Sequence, residues 1–370
     1  YQISQVYGLM ESLALWAALG ILYCLLRYVD EKGDGKKYLI QSCVLYFAVC
    51  FIHERYLALL PLIYLAILYK KGKKKAFWFL PAGVFAVVMA IRVLTTGGVA
   101  PAGTGGTNVA ETFSVMTSIR YAIDQVLYIF GINAGPGHLS GASWTESPSW
   151  IHVQIIAADL VLLVLVILAV IRVIRDKEGR LKYLRDISLF LIFIALCIGA
   201  SSVTIRVETR WIYVSMTAAY LLAAYLYGMI TAKPEHGKVV DIKREARKAA
   251  DKKAGRQSAV LCGGLFLVYI IIMFPVENYY RGQYPNLYFW ADQQRYNSLA
   301  EETYGKYGDD IFGRKIYIIG NSYRMSDFTA RTFFKEFDRD RKAEGTEVHF
   351  IDSIHDIGLI TNNMLVLKED

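Results

Sequence analysis

Long apolar runs alternate with short charged ones through the first three quarters of the chain. Val6–Leu26, Phe77–Leu94, Val153–Ile171, Ile187–Ile205, Trp211–Ile230 and Ala259–Phe274 are each long enough, or nearly so, to cross a hydrocarbon core of ~30 Å. A seventh run, Tyr38–Tyr69, is too long for one helix, and lysines stand at both of its ends. It is apolar almost throughout, except for His53, Glu54 and Arg55 at its centre. This pattern predicts a mainly helical, polytopic membrane bundle.

Charge placement orients the bundle. Residues 27–37, 70–75, 172–186 and 231–257 together hold 24 of the 41 Lys and Arg, whereas Thr95–His152 holds only Arg120. Short loops rich in Lys and Arg mark the cytoplasmic face. The predicted topology therefore places the N-terminus outside and those four loops inside. Thr95–His152, Arg206–Arg210 and everything after Pro275 lie outside. Tyr38–Tyr69 must then be a hairpin with its tip pointing outward. Its arms, Tyr38–Ile52 and Tyr56–Tyr69, reach roughly 21–23 Å at 1.5 Å per residue, which is short for a full crossing. Two readings of the tip follow: Glu54 and Arg55 cap a turn and meet headgroups, or the tip lines a polar cavity sunk into the outer leaflet. The short arms favour the second.

Composition agrees with this reading. Of 370 residues 55% are hydrophobic and 20% charged, and the mean hydropathy is +0.32. The formal net charge of +8 is mostly topological, since lysines spread over four short loops make no nucleic-acid footprint. All five cysteines lie inside apolar runs and read as small buried hydrophobes. His138, Glu146 and His152 lack the close spacing of a zinc site, so no metal is assigned. No motif supports a divalent cation, and the sequence names no cofactor.

Other ionisable residues come to the level of the hairpin tip. Glu11 lies near the outer end of the first run and Arg92 near the outer end of Phe77–Leu94. Arg206, Glu208 and Arg210 form the short outer connection RVETR. Arginines gathered in a partly dry cavity suit a phosphate or pyrophosphate group, because the guanidinium fork offers paired hydrogen bonds. A carboxylate among them either takes a proton from a sugar hydroxyl or balances the charge. Candidate phosphate-binding residues are His53, Arg55, Tyr56, Arg92, Arg206, Arg210 and Glu11, with Glu54 and Glu208 as candidate acids or bases.

The outer loop, residues 95–152, carries two Gly-rich stretches around Thr112–Ile132, which reads as an amphipathic helix on the outer surface. The flanks suit a mobile lid or a plain linker. Trp144 and His152, with Trp150, stack on a sugar or sit in the interfacial aromatic belt. Residues 232–257 form a charged inner loop, helical through Val240–Ala254. Residues 258–275 make the last crossing, and residues 276–370 predict a small extracytoplasmic α/β domain. Its elements are a helix at Leu287–Tyr304, the strand KIYIIG, the helix SDFTARTFFKEFDRDRKA, the strand EVHFID and the strand MLVLK. Gly320-Asn321-Ser322 reads as a structural turn between strand and helix.

The runs LMESLALWAALGILY, HERYLALLPLIYLAILY and ETRWIYVSMTAAYLLAAY resemble membrane helices of the GT-C superfamily of glycosyltransferases, across roughly Tyr1–Ile230 (residues 1–231 as a domain). The resemblance implies a hexosyl- or pentosyltransferase that takes a sugar from a polyprenyl-phosphate carrier. On the outer face it would pass that sugar to an exported glycan, lipid or protein. It makes Arg55 and Arg210 candidates for the carrier phosphate and places Glu11 at the cavity wall. In that superfamily the catalytic acid lies in a first outer loop after a first membrane helix. No such loop precedes Val6, so the expectation is that this chain begins partway into a longer one and that its main catalytic acid lies outside it. The competing class is a transporter or flippase of an envelope polysaccharide export pathway. That class requires ionisable residues through the full membrane depth, and the inner halves of the runs read as apolar.

Overall fold

The computed structural model describes residues 6–70, 75–98, 114–133, 144–204, 207–231, 260, 263–264, 266–276, 278–279, 290–319, 333–337, 346–359 and 361–368. The chain divides into two compact units, Tyr1–Gly282 and Gln283–Asp370.

The first unit is helical. In order come α1 (Val6–Asp30), α2 (Lys36–Ile52), a 3-10 stretch (Glu54–Leu59), α3 (Leu60–Tyr69), α4 (Phe79–Thr96), α5 (Val115–Ile129), α6 (Ser149–Arg175), α7 (Arg180–Ser202), α8 (Thr209–Thr231) and α9 (Phe266–Val276). Within α1, α6, α7 and α8 lie four stretches long and apolar enough to cross a membrane, the mark of a membrane protein. α4 and α9 are apolar but shorter. A shared core is built from Ile21, Leu25 and Tyr28 of α1, Tyr46 of α2, Tyr56 and Leu59 of the 3-10 stretch, Ile63 and Ile67 of α3, and Phe193 of α7.

The predicted hairpin is present, and hydrogen bonds at both of its ends define it. α2 stops at His53, whose extended backbone (φ −154°, ψ 122°) breaks the helix. Chain direction resumes as a 3-10 stretch, which passes into α3 where Pro61 occupies the first turn, a position that needs no backbone N–H. Tyr46 Oη of α2 donates to the Leu57 carbonyl at 3.1 Å across the hairpin. At the tip, Arg55 pairs with Glu11 of α1. At the base, Lys70 Nζ donates to the Tyr28 carbonyl at 2.8 Å, near the far end of α1. Both arms are longer than the sequence implied. α2 has 17 residues, or ~26 Å. The other arm gains length because its six 3-10 residues rise ~2.0 Å each, not 1.5 Å. The depth of the tip is therefore set by Glu11, 17 residues before Tyr28 on α1, or ~26 Å of helix.

The base end holds a second polar network. Arg185 of α7 donates to Asp186 Oδ1 through Nε (2.9 Å) and Nη2 (2.7 Å), to the Val29 carbonyl through Nη1 (3.2 Å), and to Asp30. Tyr225 of α8 donates to Asp186 Oδ2 at 2.9 Å, and Tyr69 of α3 shares a 2.9 Å hydrogen bond with Ser188. Four helices are thus tied at this end. Asp186, which belongs to the charged inner stretch 172–186, is only 3% exposed.

α5 is amphipathic, as the sequence implies, and starts at Ser114, whose Oγ accepts from Thr117 N. Its polar face is the one turned inward. Gln125 Nε2 donates to Ser202 Oγ at 2.8 Å and Ser201 Oγ donates to Gln125 Oε1 at 2.6 Å. Val115, Met116, Ile119, Ile123 and Val126 are exposed on the opposite stripe. Gln125→Leu should loosen α5 from α7 by about 1–3 kcal/mol, since it removes the two hydrogen bonds that join Gln125 to Ser201 and Ser202. Faster hydrogen exchange of the α5 amides, with α7 unchanged, is the expected readout.

The second unit has α10 (Trp290–Tyr307) and three parallel strands, β1 (Lys315–Ile319), β2 (Glu347–Ile351) and β3 (Met364–Lys368), in the order β2-β1-β3. Ile316 and Ile318 alternate into a core with Ala300, Ile311, Phe334 and Val348. On the other face of β1, Tyr317 stacks on His349 at 5.2 Å. The predicted α/β character and all three strands are present. Most of the predicted helix SDFTARTFFKEFDRDRKA, the turn Gly320-Asn321-Ser322 and the loop 232–257 lie outside the described residues.

Lys315 and Glu347 are register partners at the start of the sheet, with Nζ 3.0 Å from Oε2. The hydrogen bond from Lys315 holds the Glu347 carboxyl below its usual range. A depressed carboxylate stabilises the fold above its unfolded value and loses that contribution as pH falls through the folded one. Glu347→Gln should therefore flatten the decline in β1–β2 protection on acidification below about pH 4.5, the ordinary carboxylate range. The readout is hydrogen exchange of wild type and variant compared at each pH.

Candidate functional site

At the hairpin tip, Arg55 projects from the first turn of the 3-10 stretch. Its side chain is 8% exposed, as is that of Glu11, its ion-pair partner on α1. Arg55 Nη2 also donates to Tyr56 Oη at 3.1 Å. The guanidinium is therefore aimed by two buried groups through one arm of its fork. The other arm, Nη1, is buried and makes no hydrogen bond. A buried donor without a partner carries a desolvation cost.

The neighbouring residues extend the cluster. His53 Nε2 lies 4.0 Å from Glu11 Oε1. Both Arg55 and Arg210 are close enough to His53 to act on it electrostatically, which brings the start of α8 to the tip. Arg210 pairs with Glu208, and Arg92 Nη2 of α4 pairs with Glu54 Oε2 at 2.8 Å. Cys197 of α7 underlies the group and interacts with both Arg55 and Tyr56.

Of the residues singled out in the sequence, Glu11, His53, Arg55, Tyr56 and Arg210 are thus gathered at one place. Glu54 and Arg92 form an adjoining pair anchored on the same tip. Arg206 lies outside the described residues. Trp144 and His152 stack on each other, with ring centroids 4.0 Å apart, and His152 Nε2 is 2.7 Å from the Trp144 carbonyl. Trp144 packs with Ile132, Ile151 and Val276 at the foot of α6. Among the described residues no three His, Cys, Asp or Glu side chains are grouped as metal ligands.

Two carboxylates carry more than the sequence reading assigned. Asp124 on α5 is 5% exposed. Its Oδ2 accepts no hydrogen bond, and Arg120 Nε is 4.0 Å away. Desolvation pushes this carboxyl above its usual range. One residue along, Gln125 reaches Ser201, a turn beyond Cys197 on α7. The other is Asp159, inside the α6 span. An Asp within an otherwise apolar run is a visible signal in the sequence; its neighbours are not.

The cluster at the tip is a balanced set. Glu11, Glu54 and Glu208 each hold an arginine, so the carboxylates keep the cations in place, and Arg55 Nη1 is buried without a hydrogen bond. No protein-family profile, curated protein or solved structure matches this chain.

Proposed function

We propose that this chain is a membrane glycosyltransferase of GT-C type that uses a polyprenyl-phosphate-linked sugar, with the hairpin-tip cluster as the carrier-phosphate site. The observation that carries the reading is Arg55: buried, aimed by Glu11 and Tyr56, and with a buried Nη1 that makes no hydrogen bond. A phosphate oxygen is the group best matched to that arm. Arg210 would add a second cation on the same side as His53. In the transfer, an acceptor hydroxyl attacks the anomeric carbon as the bond from that carbon to the phosphate oxygen breaks. The leaving electron pair ends on the phosphate, where Arg55 and Arg210 balance it. The acceptor proton needs a carboxylate. Glu54 and Glu208 are each engaged by an arginine, whereas Asp124 keeps an oxygen without a hydrogen bond.

By the lysine count the tip faces outward. The acceptor is then an exported glycan, lipid or protein. The test is binding of a short-chain prenyl phosphate to the protein in nanodiscs. Wild type should bind, and Arg210→Ala should weaken binding roughly tenfold or more, the worth of one charge-assisted hydrogen bond. Equal binding by wild type and variant would remove the phosphate role.

The transport reading gains one observation. Asp159 in mid-α6 puts an ionisable group at a further depth. Vesicle uptake of a labelled lipid-linked sugar without transfer would favour it.

A further inference from the structure

The charges at the hairpin tip cancel. Among the described residues of the cluster, the carboxylates of Glu11, Glu54 and Glu208 pair with the guanidiniums of Arg55, Arg92 and Arg210, one to one. A phosphate monoester carries close to two negative charges at neutral pH, its second ionisation falling at about pH 6. Such an anion enters a partly desolvated site with no surplus cation to meet it, and uncompensated buried charge is costly. Among the described residues of the tip, the side chain able to gain a positive charge near neutral pH is the imidazole of His53.

His53 is placed for that change. It stands at the break between α2 and the 3-10 stretch, yet its side chain makes no capping hydrogen bond there. The ring instead faces Glu11, with Nε2 4.0 Å from Oε1, while the other carboxylate oxygen, Oε2, holds Arg55. One buried carboxylate thus serves a fixed cation and a titratable one. The Tyr56 ring meets the imidazole edge to face at 6.3 Å, and Arg55 donates to Tyr56 Oη. The His53 side chain is 33% exposed, against 8% for Glu11 and Arg55, so it forms the open side of the group. The charged and titratable groups facing it are Glu11 from α1, Arg55 and Tyr56 from the 3-10 stretch, and Arg210 from α8. Two guanidiniums disfavour a third positive charge beside them; a bound phosphate that takes up their charge reverses the balance.

We infer that His53 is the proton-linked member of the phosphate site: its imidazole is neutral while the site is empty and becomes an imidazolium, held against Glu11, when a phosphate monoester binds. The inference rests on the phosphate reading of the tip and adds that the site takes up a proton with its ligand. That proton comes from solvent at the exposed edge of the ring and returns there. In the proposed transfer the bound donor is a phosphodiester with one negative charge, and the released carrier is a monoester with two. The imidazolium balances the charge that bond cleavage leaves on the phosphate, and its deprotonation loosens the spent carrier.

The experiment follows binding of a short-chain prenyl phosphate to the full chain in nanodiscs as a function of pH, for wild type and His53→Gln. A group protonated more in the complex than in the free protein strengthens binding as pH falls through its range. The ligand's own second ionisation is common to both proteins and cancels in their ratio. Between about pH 8 and about pH 6, wild-type affinity should gain roughly tenfold over that of His53→Gln, the low end of what an opposite charge ~4–6 Å away does to a proton equilibrium. Nitrogen NMR of isotope-labelled histidines reads the same event directly. His53 is one of six, identified by the signal that His53→Gln lacks. Its titration should move to higher pH on adding the ligand, and move less in Glu11→Gln. Inorganic phosphate is the second arm: binding as tight as that of prenyl phosphate would remove the lipid carrier and keep the proton link. No binding of either by wild type would remove the phosphate site and this inference together. Binding with parallel pH profiles in wild type and His53→Gln, or an unmoved His53 signal, would overturn the proton link alone.

Discussion

Arg55→Lys is expected to lower prenyl-phosphate affinity by roughly ten- to a hundredfold while leaving the protein folded. The physical difference between the two side chains decides this. Lysine keeps one positive charge beside Glu11, so the buried carboxylate stays paired. It has no second arm, so the donor that Nη1 presents is lost. Arg55→Ala is a poorer test, because it leaves Glu11 buried and uncompensated at a cost of about 3–5 kcal/mol. Lost function in that variant would mix binding with unfolding. Glu11→Gln supplies the converse: the cation stays but its aim is relaxed, so affinity should fall less than in Arg55→Lys. The measurement is a binding isotherm for each variant beside its thermal midpoint in the same nanodiscs. Arg55→Lys binding like wild type would remove Nη1 from the site.

Asp186→Leu should destabilise the bundle by about 3–5 kcal/mol, the range for removing one partner of a buried ion pair. Asp186 is 3% exposed and accepts three hydrogen bonds, two from Arg185 and one from Tyr225. Its removal takes two hydrogen bonds from Arg185 and leaves the Tyr225 phenol without its acceptor at the junction of α1, α7 and α8. Replacing both partners, Arg185→Met with Asp186→Leu, should recover part of the loss, because no guanidinium short of hydrogen-bond acceptors is then left between the helices. The recovery will be incomplete, since Arg185 also holds Asp30 and the Val29 carbonyl. The two single variants and the double variant form a cycle whose coupling is read from thermal unfolding. Additive losses would mean that Arg185 and Asp186 do not act as a unit. Prenyl-phosphate binding at the other end of the bundle should persist in whichever variants stay folded.

Much of the hairpin was legible in the residues. Three ionisable side chains between two apolar arms, with lysines at both ends, implied a break at the centre and a return to the starting side. The break falls at His53, and the Arg55–Glu11 and Lys70–Tyr28 contacts place tip and base at opposite ends of α1. The length of the second arm was not legible, because nothing in the composition of ERYLAL distinguishes a 3-10 rise from an α-helical one. The amphipathic pattern of Val115–Ile129 was also plain. Which face turned inward was decided by Ser201 and Ser202, residues some 75 positions away that offer Gln125 its partners.

What the sequence determined by itself is everything that depends on local pattern: the apolar spans, the charged loops between them, the period of α5 and the alternation in β1. These follow from short-range hydrophobicity and helix or strand periodicity, which a chain carries wherever it folds. Only the tertiary structure decided which charges meet. Glu11 and Arg55 are 44 residues apart, and Asp30 and Arg185 are 155 apart. Pairings at that separation are selected by how helices pack. Desolvation makes an unpaired charge between helices costly, so packing and pairing are settled together.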